Sequence, residues 1–238
     1  MIFILLALAV APGLAIAIFI YEKDKLDREP LHLLVKSFFL GAASIFPASF
    51  INGVFEGFGV LHTAAMDETF YYALAVGFSE EFCKFLILII FFYPRKEFNE
   101  PFDGITYGVM IAMGFATLEN MFYVVDGGLG VALIRMFTAV PAHATFGVIM
   151  GYYVGLAKFS HRTKIPFPKT VGVLGAMGMH AVYDFCLYMN NYPLLAIGAV
   201  LALITGIWFA LKAIRMNNLN SPFSHHEWHP EEKEIFKG

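Results

Sequence analysis

Charge is scarce in this sequence. Asp, Glu, Lys and Arg make up 15% of its 238 residues, against about 25% in soluble globular proteins. A basic excess is missing too: the net charge of -3 gives none of the electrostatic footprint of a nucleic-acid-binding protein. Cysteine is limited to Cys83 and Cys186, both inside apolar runs. That excludes a disulfide scaffold and leaves the reading of two small buried hydrophobes. No basic residue precedes the opening run "MIFILLALAVAPGLAIAIFIY". Its apolar character continues past Ala15–Ala17 to Tyr21, so it reads as a retained membrane span rather than a cleaved leader.

What the chain has instead is apolar residues, 58% of the total, with a mean hydropathy of +0.66. They fall in seven blocks, 2–21, 33–55, 70–93, 104–125, 131–157, 170–189 and 193–214. A helix crosses a bilayer with roughly 20 residues. The expected fold is therefore an all-α polytopic membrane protein of about seven transmembrane helices. It forms one domain over 1–215, with a polar tail over 216–238. The "HHEWHPEEKE" of that tail reads as a solvated end rather than a metal site.

Basic residues are missing from the second, fourth and sixth connections. Fourteen of the 16 lie in the odd-numbered connections and the C-terminal end. The positive-inside rule then predicts an N-terminus outside and a C-terminus and tail in the cytoplasm. The two exceptions are Lys84 and Arg135. Arg135 falls near the outer end of the fifth block, where a long side chain snorkels to the interface. Gly147, Gly151 and Gly155, Gly104 and Gly108, and Gly172, Gly175 and Gly178 have the spacing of small residues at helix–helix contacts.

Ionisable residues inside apolar spans are costly and mark function. "VGFSEEFCKFLILII" carries Glu80, Glu81 and Lys84; "FATLEN" carries Glu119 and Asn120; "PAHATFG" carries His143; "HAVYD" carries His180 and Asp184. Glu80 and Lys84, four apart, share a helix face, as do His180 and Asp184, so Asp184 can orient the imidazole. Pro141 withholds an N–H beside His143 and is expected to bend that span. Counted from the outer face, these ionisable groups lie about 8–18 Å deep, which predicts one cluster opening outward. Such a set suits water activation by a carboxylate with histidine assistance. It also suits zinc binding, although the His-Glu-x-x-His helix motif is absent, or a proton relay in a transporter.

The ordered set Glu80-Glu81-x-x-Lys84, Phe115-x-x-x-Glu119-Asn120, His143-x-x-Phe146 and His180-x-x-x-Asp184 resembles the PrsW family of bacterial intramembrane proteases. So do "APGLAIAIFIYEKDKLDREPLH" and "SFFLGA" near the N-terminus. The resemblance implies a multi-pass endopeptidase of the bacterial cell membrane. Its partner would be a single-pass membrane anti-sigma factor, cut at site 1 during a stress response. The family is similar to the CAAX prenyl endopeptidases, whose paired glutamates and histidines activate water without a required metal. This chain has Glu119 and Asp184 where that branch has His and Asn, which argues against prenyl-protein processing. The resemblance implies catalytic roles for Glu80, Glu81, His143 and His180, supported by Lys84, Glu119, Asn120 and Asp184. Glu80 is favoured as base, with the other glutamate pairing to Lys84, and no cofactor is expected. The alternatives are a zinc-dependent protease with Glu81, Glu119, His143 and His180 as ligands, and a proton-coupled transporter.

Overall fold

The computed structural model describes residues 2–24, 26–63, 65–159, 165–189 and 192–219. The three tail histidines lie outside them. Eight α-helices are described, and no strand among the described residues: α1 (Ile2–Lys23), α2 (Leu31–Ala43), α3 (Ile45–Gly57), α4 (Met66–Ile87), α5 (Pro101–Phe137), α6 (Ala139–Phe159), α7 (Pro168–Tyr188) and α8 (Pro193–Leu219). Five segments are long and apolar enough to cross a membrane: Ile2–Lys23, Leu31–Gly57, Pro101–Phe159, Pro168–Tyr188 and Ile197–Asn217. The outward faces are apolar, as at Phe39, Phe50 and Trp208, while Glu81, Lys84 and Asn120 are inside. That inversion is the pattern of a chain solvated by lipid.

α5 is the axis. Every residue from Pro101 to Thr117 is buried, which a helix apolar on all sides requires. Pro101 occupies its first turn, and a reciprocal capping box of Glu100 and Asp103 satisfies its opening N–H groups. α1 runs antiparallel to it: Gly13 meets Thr117 and Asn120 donates to the Ala9 carbonyl at 3.1 Å. α2 runs parallel: Tyr107 donates to Glu29 just before α2, Gly41 abuts Ile111, and Ile45 and Ala48 reach Phe115. α6 returns along α5 through glycines, with Gly104 against Gly151 and Gly155, and Gly108 against Gly147. α7 packs antiparallel on α4, where Gly77 meets Met177 and Ala181, and on α6, where Gly172 meets Met150 and Tyr153. The glycine ladders are thus packing surfaces, as their spacing predicts. Gly178 is the exception, with nothing within 4 Å of a built Cβ.

The apolar blocks and the helices differ at four places. The second block is two helices broken at Ser44, whose hydroxyl donates to the Gly41 carbonyl at 2.6 Å. After α4 comes a π-helical turn, Leu88–Phe92. It closes with Tyr93 N–H donating to the Leu88 carbonyl at 2.9 Å, and it turns Phe92 inward to stack on Tyr107 at 4.7 Å. The reversal between α5 and α6 begins at Gly128, where φ is 70°, a conformation glycine adopts without a Cβ penalty. Pro141 does not bend α6. It lies in the first turn, where its missing N–H has no intrahelical partner to lose. Cys83 and Cys186 are free and buried.

The end of the bundle that carries Arg28, Arg95 and Lys158 also buries carboxyl groups. Asp24, Glu29, Glu100 and Asp103 are all nearly inaccessible. Burial pushes both Asp24 and Glu29 up to about 7. Glu100 and Asp27 add to this at Asp24, outweighing a hydrogen bond from the Glu29 backbone and the charge of Arg28, and Asp24 and Asp27 add to it at Glu29, outweighing its bond from Tyr107 and its contact with Asp103. The folded state then holds protons that an unfolded chain releases above about pH 4. Stability must fall as pH rises through the window from about 4 to about 7. Thermal unfolding of detergent-solubilised protein without divalent cations should give a higher Tm at pH 5 than at pH 8. A flat profile would mean that these groups are not buried as acids.

Candidate active site

The four polar motifs converge. α4 brings Glu80, Glu81 and Lys84, α5 brings Glu119, α6 brings His143 and α7 brings His180 and Asp184. Lys84 is the hub. Its Nζ donates to Glu81 Oε1 at 2.8 Å, donates to Glu80 Oε2 at 3.3 Å, lies 3.1 Å from His143 Nδ1, and sits 3.8 Å from the Phe115 ring centroid. An ammonium has no acceptor, so His143 Nδ1 accepts here and its Nε2–H faces Glu119 Oε2 at 3.1 Å. His180 lies between two carboxylates, with Nδ1 3.0 Å from Glu81 Oε1 and Nε2 3.3 Å from Asp184 Oδ2. It can donate to both only as an imidazolium. Phe146 stacks on its ring at 4.8 Å.

The two glutamates differ in what they face. Glu81 is fully enclosed, and one of its oxygens accepts from both Lys84 and His180. Glu80 lines a cavity of about 310 Å³ together with Glu119, His143, His180, Asp184 and Arg135. Its Oε2 stands 4.0 Å from His180 Nε2. Tyr72, Tyr123, Tyr183 and Tyr188, with Ser49 and Asn52, complete the polar part of the wall. Tyr188 donates to Asp184 at 3.2 Å, which fixes the carboxylate that orients His180.

Two sequence expectations change. Arg135 does not snorkel to an interface. Its Nη2 donates to Glu119 Oε2 at 2.6 Å, its Nε donates to Asn120 Oδ1 at 2.9 Å, and the guanidinium lies 3.9 Å from the Tyr123 centroid. A paired guanidinium beside a buried carboxylate is cheaper than that carboxylate alone. Asn120 is not at the cavity. It is turned toward α1 and holds Arg135 from behind. The sequence clue to Arg135 was its place as an exception to the charge alternation.

A partly enclosed polar cavity inside an apolar bundle is what hydrolysis within a membrane demands. The family model described as "PrsW family intramembrane metalloprotease" matches residues 29–214. The chain belongs to the PrsW family. It is 39% identical over 186 residues to a Protease PrsW of Bacillus subtilis (strain 168), covering 78% of this chain and 83% of the relative. It is 34% identical over 219 residues to a Protease PrsW of Halalkalibacterium halodurans, covering 91% and 98%, and 36% identical over 192 residues to one of Clostridioides difficile (strain 630), covering 78% and 80%. No solved structure matches. The protein is a peptidase, an intramembrane protease of a bacterial membrane that it crosses several times.

The family description raises a metal. Glu80, Glu81, His143 and His180 each offer a ligand atom, all within 4.8 Å of one another, and nitrogen and carboxylate oxygen suit zinc. With Lys84 where it stands, the set does not fit an ion. The ammonium bonds three of the four ligands. The remaining ring nitrogens are bonded to Glu119, Glu81 and Asp184. A divalent cation would have to displace Lys84 from its carboxylates.

Proposed function

We propose that this chain is a glutamate-type endopeptidase that makes the first, site-1 cut in a single-pass membrane anti-sigma factor, with no metal cofactor. The observation that carries the mechanism is that Glu80, and not Glu81, faces the cavity. Glu80 takes a proton from water as the oxygen attacks the scissile carbonyl. The Nε2–H groups of His180 and His143 turn from Asp184 and Glu119 toward the oxyanion and stabilise it, and the proton on Glu80 passes to the leaving amine as the C–N bond breaks. Lys84 supplies the positive charge that offsets two glutamates held side by side. Arg135 does the same for Glu119. The substrate assignment rests on the motifs shared with the family, and the stress-response role follows from it.

The bundle end that carries Arg95, Lys96 and Lys158 faces the cytoplasm on the positive-inside rule, so the N-terminus is outside and the cavity opens outward. Unwound substrate backbone is tolerated only in a polar cavity. The first cut therefore falls on the extracytoplasmic side of the substrate's membrane segment. Mass spectrometry of fragments from cells lacking later proteases tests this, and a first cut at the cytoplasmic end overturns it. Stoichiometric zinc in the purified protein, with cleavage abolished by a chelator, overturns the metal-free mechanism.

His180 and Asp184 act as a unit on this reading. Asp184→Asn should cost less activity than His180→Ala, and the double variant should be no worse than His180→Ala alone. Losses that multiply would assign the two residues separate roles.

A further inference from the structure

We propose that Asn52 of α3 binds the main chain of the substrate, its side-chain amide donating to the peptide carbonyl next to the scissile one. This rests on the reading of the cavity as the active site. It adds a residue outside the four polar motifs, on a helix that carries none of them.

Asn52 lines the cavity together with Glu80. Its place is set from α4. The Ser79 hydroxyl donates to Asn52 Oδ1 at 2.6 Å, and Ser79, beside Glu80 in the chain, is fully buried. A contact of 2.6 Å suits O–H···O and is shorter than the roughly 2.7–3.2 Å of N–H···O, so the amide oxygen is the atom that faces Ser79. The amide nitrogen is turned the other way, and it has no hydrogen-bond partner among the described residues.

An asparagine in a membrane helix is costly, and Phe50 and Val54 on either side of it face lipid. A serine–asparagine bond joins two membrane helices. That accounts for the oxygen and leaves the nitrogen unexplained. Ile45, Ala48, Ser49 and Asn52 all line the cavity, at the spacing of one helix face. The face is apolar at Ile45 and Ala48, which reach Phe115, and polar at Ser49 and Asn52.

What the nitrogen meets follows from the reaction. A scissile bond is exposed only where the substrate helix is unwound, and each N–H and C=O freed that way is costly in lipid unless the wall supplies a partner. The charged donors around Glu80 are committed, Lys84 to Glu80, Glu81 and His143 and Arg135 to Glu119 and Asn120. Asn52 supplies an uncharged one. The histidines enter from α6 and α7, whereas α3 packs mainly on α4. Successive carbonyls of an extended strand point to opposite sides. A strand that turns its scissile carbonyl to the histidines therefore presents the neighbouring carbonyl to the α3 wall. Because the contact is with main chain, it tolerates many substrate side chains.

The test uses the purified full chain in detergent and a synthetic peptide carrying the membrane segment and cut site mapped by fragment mass spectrometry. Asn52→Ala and Ser79→Ala each remove the α3–α4 bond, so Tm should fall alike. Asn52→Ala also removes the donor. Its KM should rise roughly 3–10-fold above that of Ser79→Ala, with kcat little changed, the mark of lost ground-state binding. Where Asn52→Ala does not fold, Asn52→Thr, which keeps a hydroxyl for Ser79, takes its place. The second arm replaces single peptide bonds beside the scissile one by esters, whose carbonyls are weaker acceptors. One such ester should raise KM with the parent and not with Asn52→Ala, since both changes remove the same bond. Equal KM in Asn52→Ala and Ser79→Ala, or an ester penalty that persists in Asn52→Ala, makes Asn52 a helix–helix contact only and overturns the assignment. Parental cleavage of the peptide by Glu80→Gln is a distinct result: it overturns the reading of the cavity, and the assignment with it.

Discussion

Glu80→Gln should lower cleavage by on the order of 10²–10⁴, the usual cost of losing a general base, while Tm stays close to that of the parent. Gln keeps the shape and removes the proton acceptor. Glu80 borders the cavity, so the charge it leaves on Lys84 remains partly compensated by Glu81 at 2.8 Å. Glu81→Gln should behave differently. Glu81 is enclosed and bridges Lys84 and His180, and removing one partner from a buried ion pair costs about 3–5 kcal/mol. Activity and Tm should then fall together. Cleavage of a verified membrane substrate, alongside thermal unfolding of each variant, separates the two roles. If Glu81→Gln lost activity at an unchanged Tm, and Glu80→Gln lost stability, the roles would be reversed.

Gly151→Val should be among the most destabilising single changes in the bundle interior. A Cβ there would lie 2.1 Å from the Gly104 carbonyl oxygen and 2.8 Å from the Ile105 Cα. Both neighbours are main chain of α5 and cannot rotate away. Overpacking typically costs about 1–3 kcal/mol and occasionally more, and a clash with helix backbone belongs at the upper end. Because α5 holds Glu119 and α6 holds His143, separating them also opens the 3.1 Å contact between these two, so activity should be lost before the fold is. Gly178→Ala is the control. Nothing lies within 4 Å of its Cβ, and Tm and activity should both be preserved. Equal effects of the two substitutions would mean that the α5–α6 approach is looser than described.

The residues of the candidate site were legible in the sequence because each is expensive in an apolar run, and because spacing within one helix fixes which of them share a face. Glu80 with Lys84 and His180 with Asp184 needed only that. What spacing within one helix cannot supply is the identity of the neighbour on another. Arg135 belonged to Glu119, and Asn120 turned away toward Ala9, for reasons that exist only once α1, α5 and α6 are packed. The same holds for the choice between the two glutamates: they are about 100° apart on α4, and only the position of α7 decides which one is enclosed. Local breaks were missed for a different reason. Ser44 and Gly128 interrupt runs whose hydropathy does not change, and the π-turn at Leu88–Phe92 is invisible in composition. The buried carboxyls near Asp24 were hidden by lying in connections, where acidic residues are ordinarily solvated.

Of the helices that build the active site, α4 alone lies outside the five segments apolar enough to cross a membrane unaided. Its counter-charges arrive later in the chain: His143 on α6 and His180 on α7 are 59 and 99 residues beyond the groups they bond. During synthesis α4 emerges with Glu80, Glu81 and Lys84 satisfied only by one another, and it acquires its partners when α7 is made. Its stable integration into lipid is therefore coupled to completion of the chain. A ribosome that stops between α5 and α7 leaves a product with an ill-tolerated helix, open to quality-control proteases. The buried polar residues of the candidate site thereby also make biogenesis of the protein all-or-none.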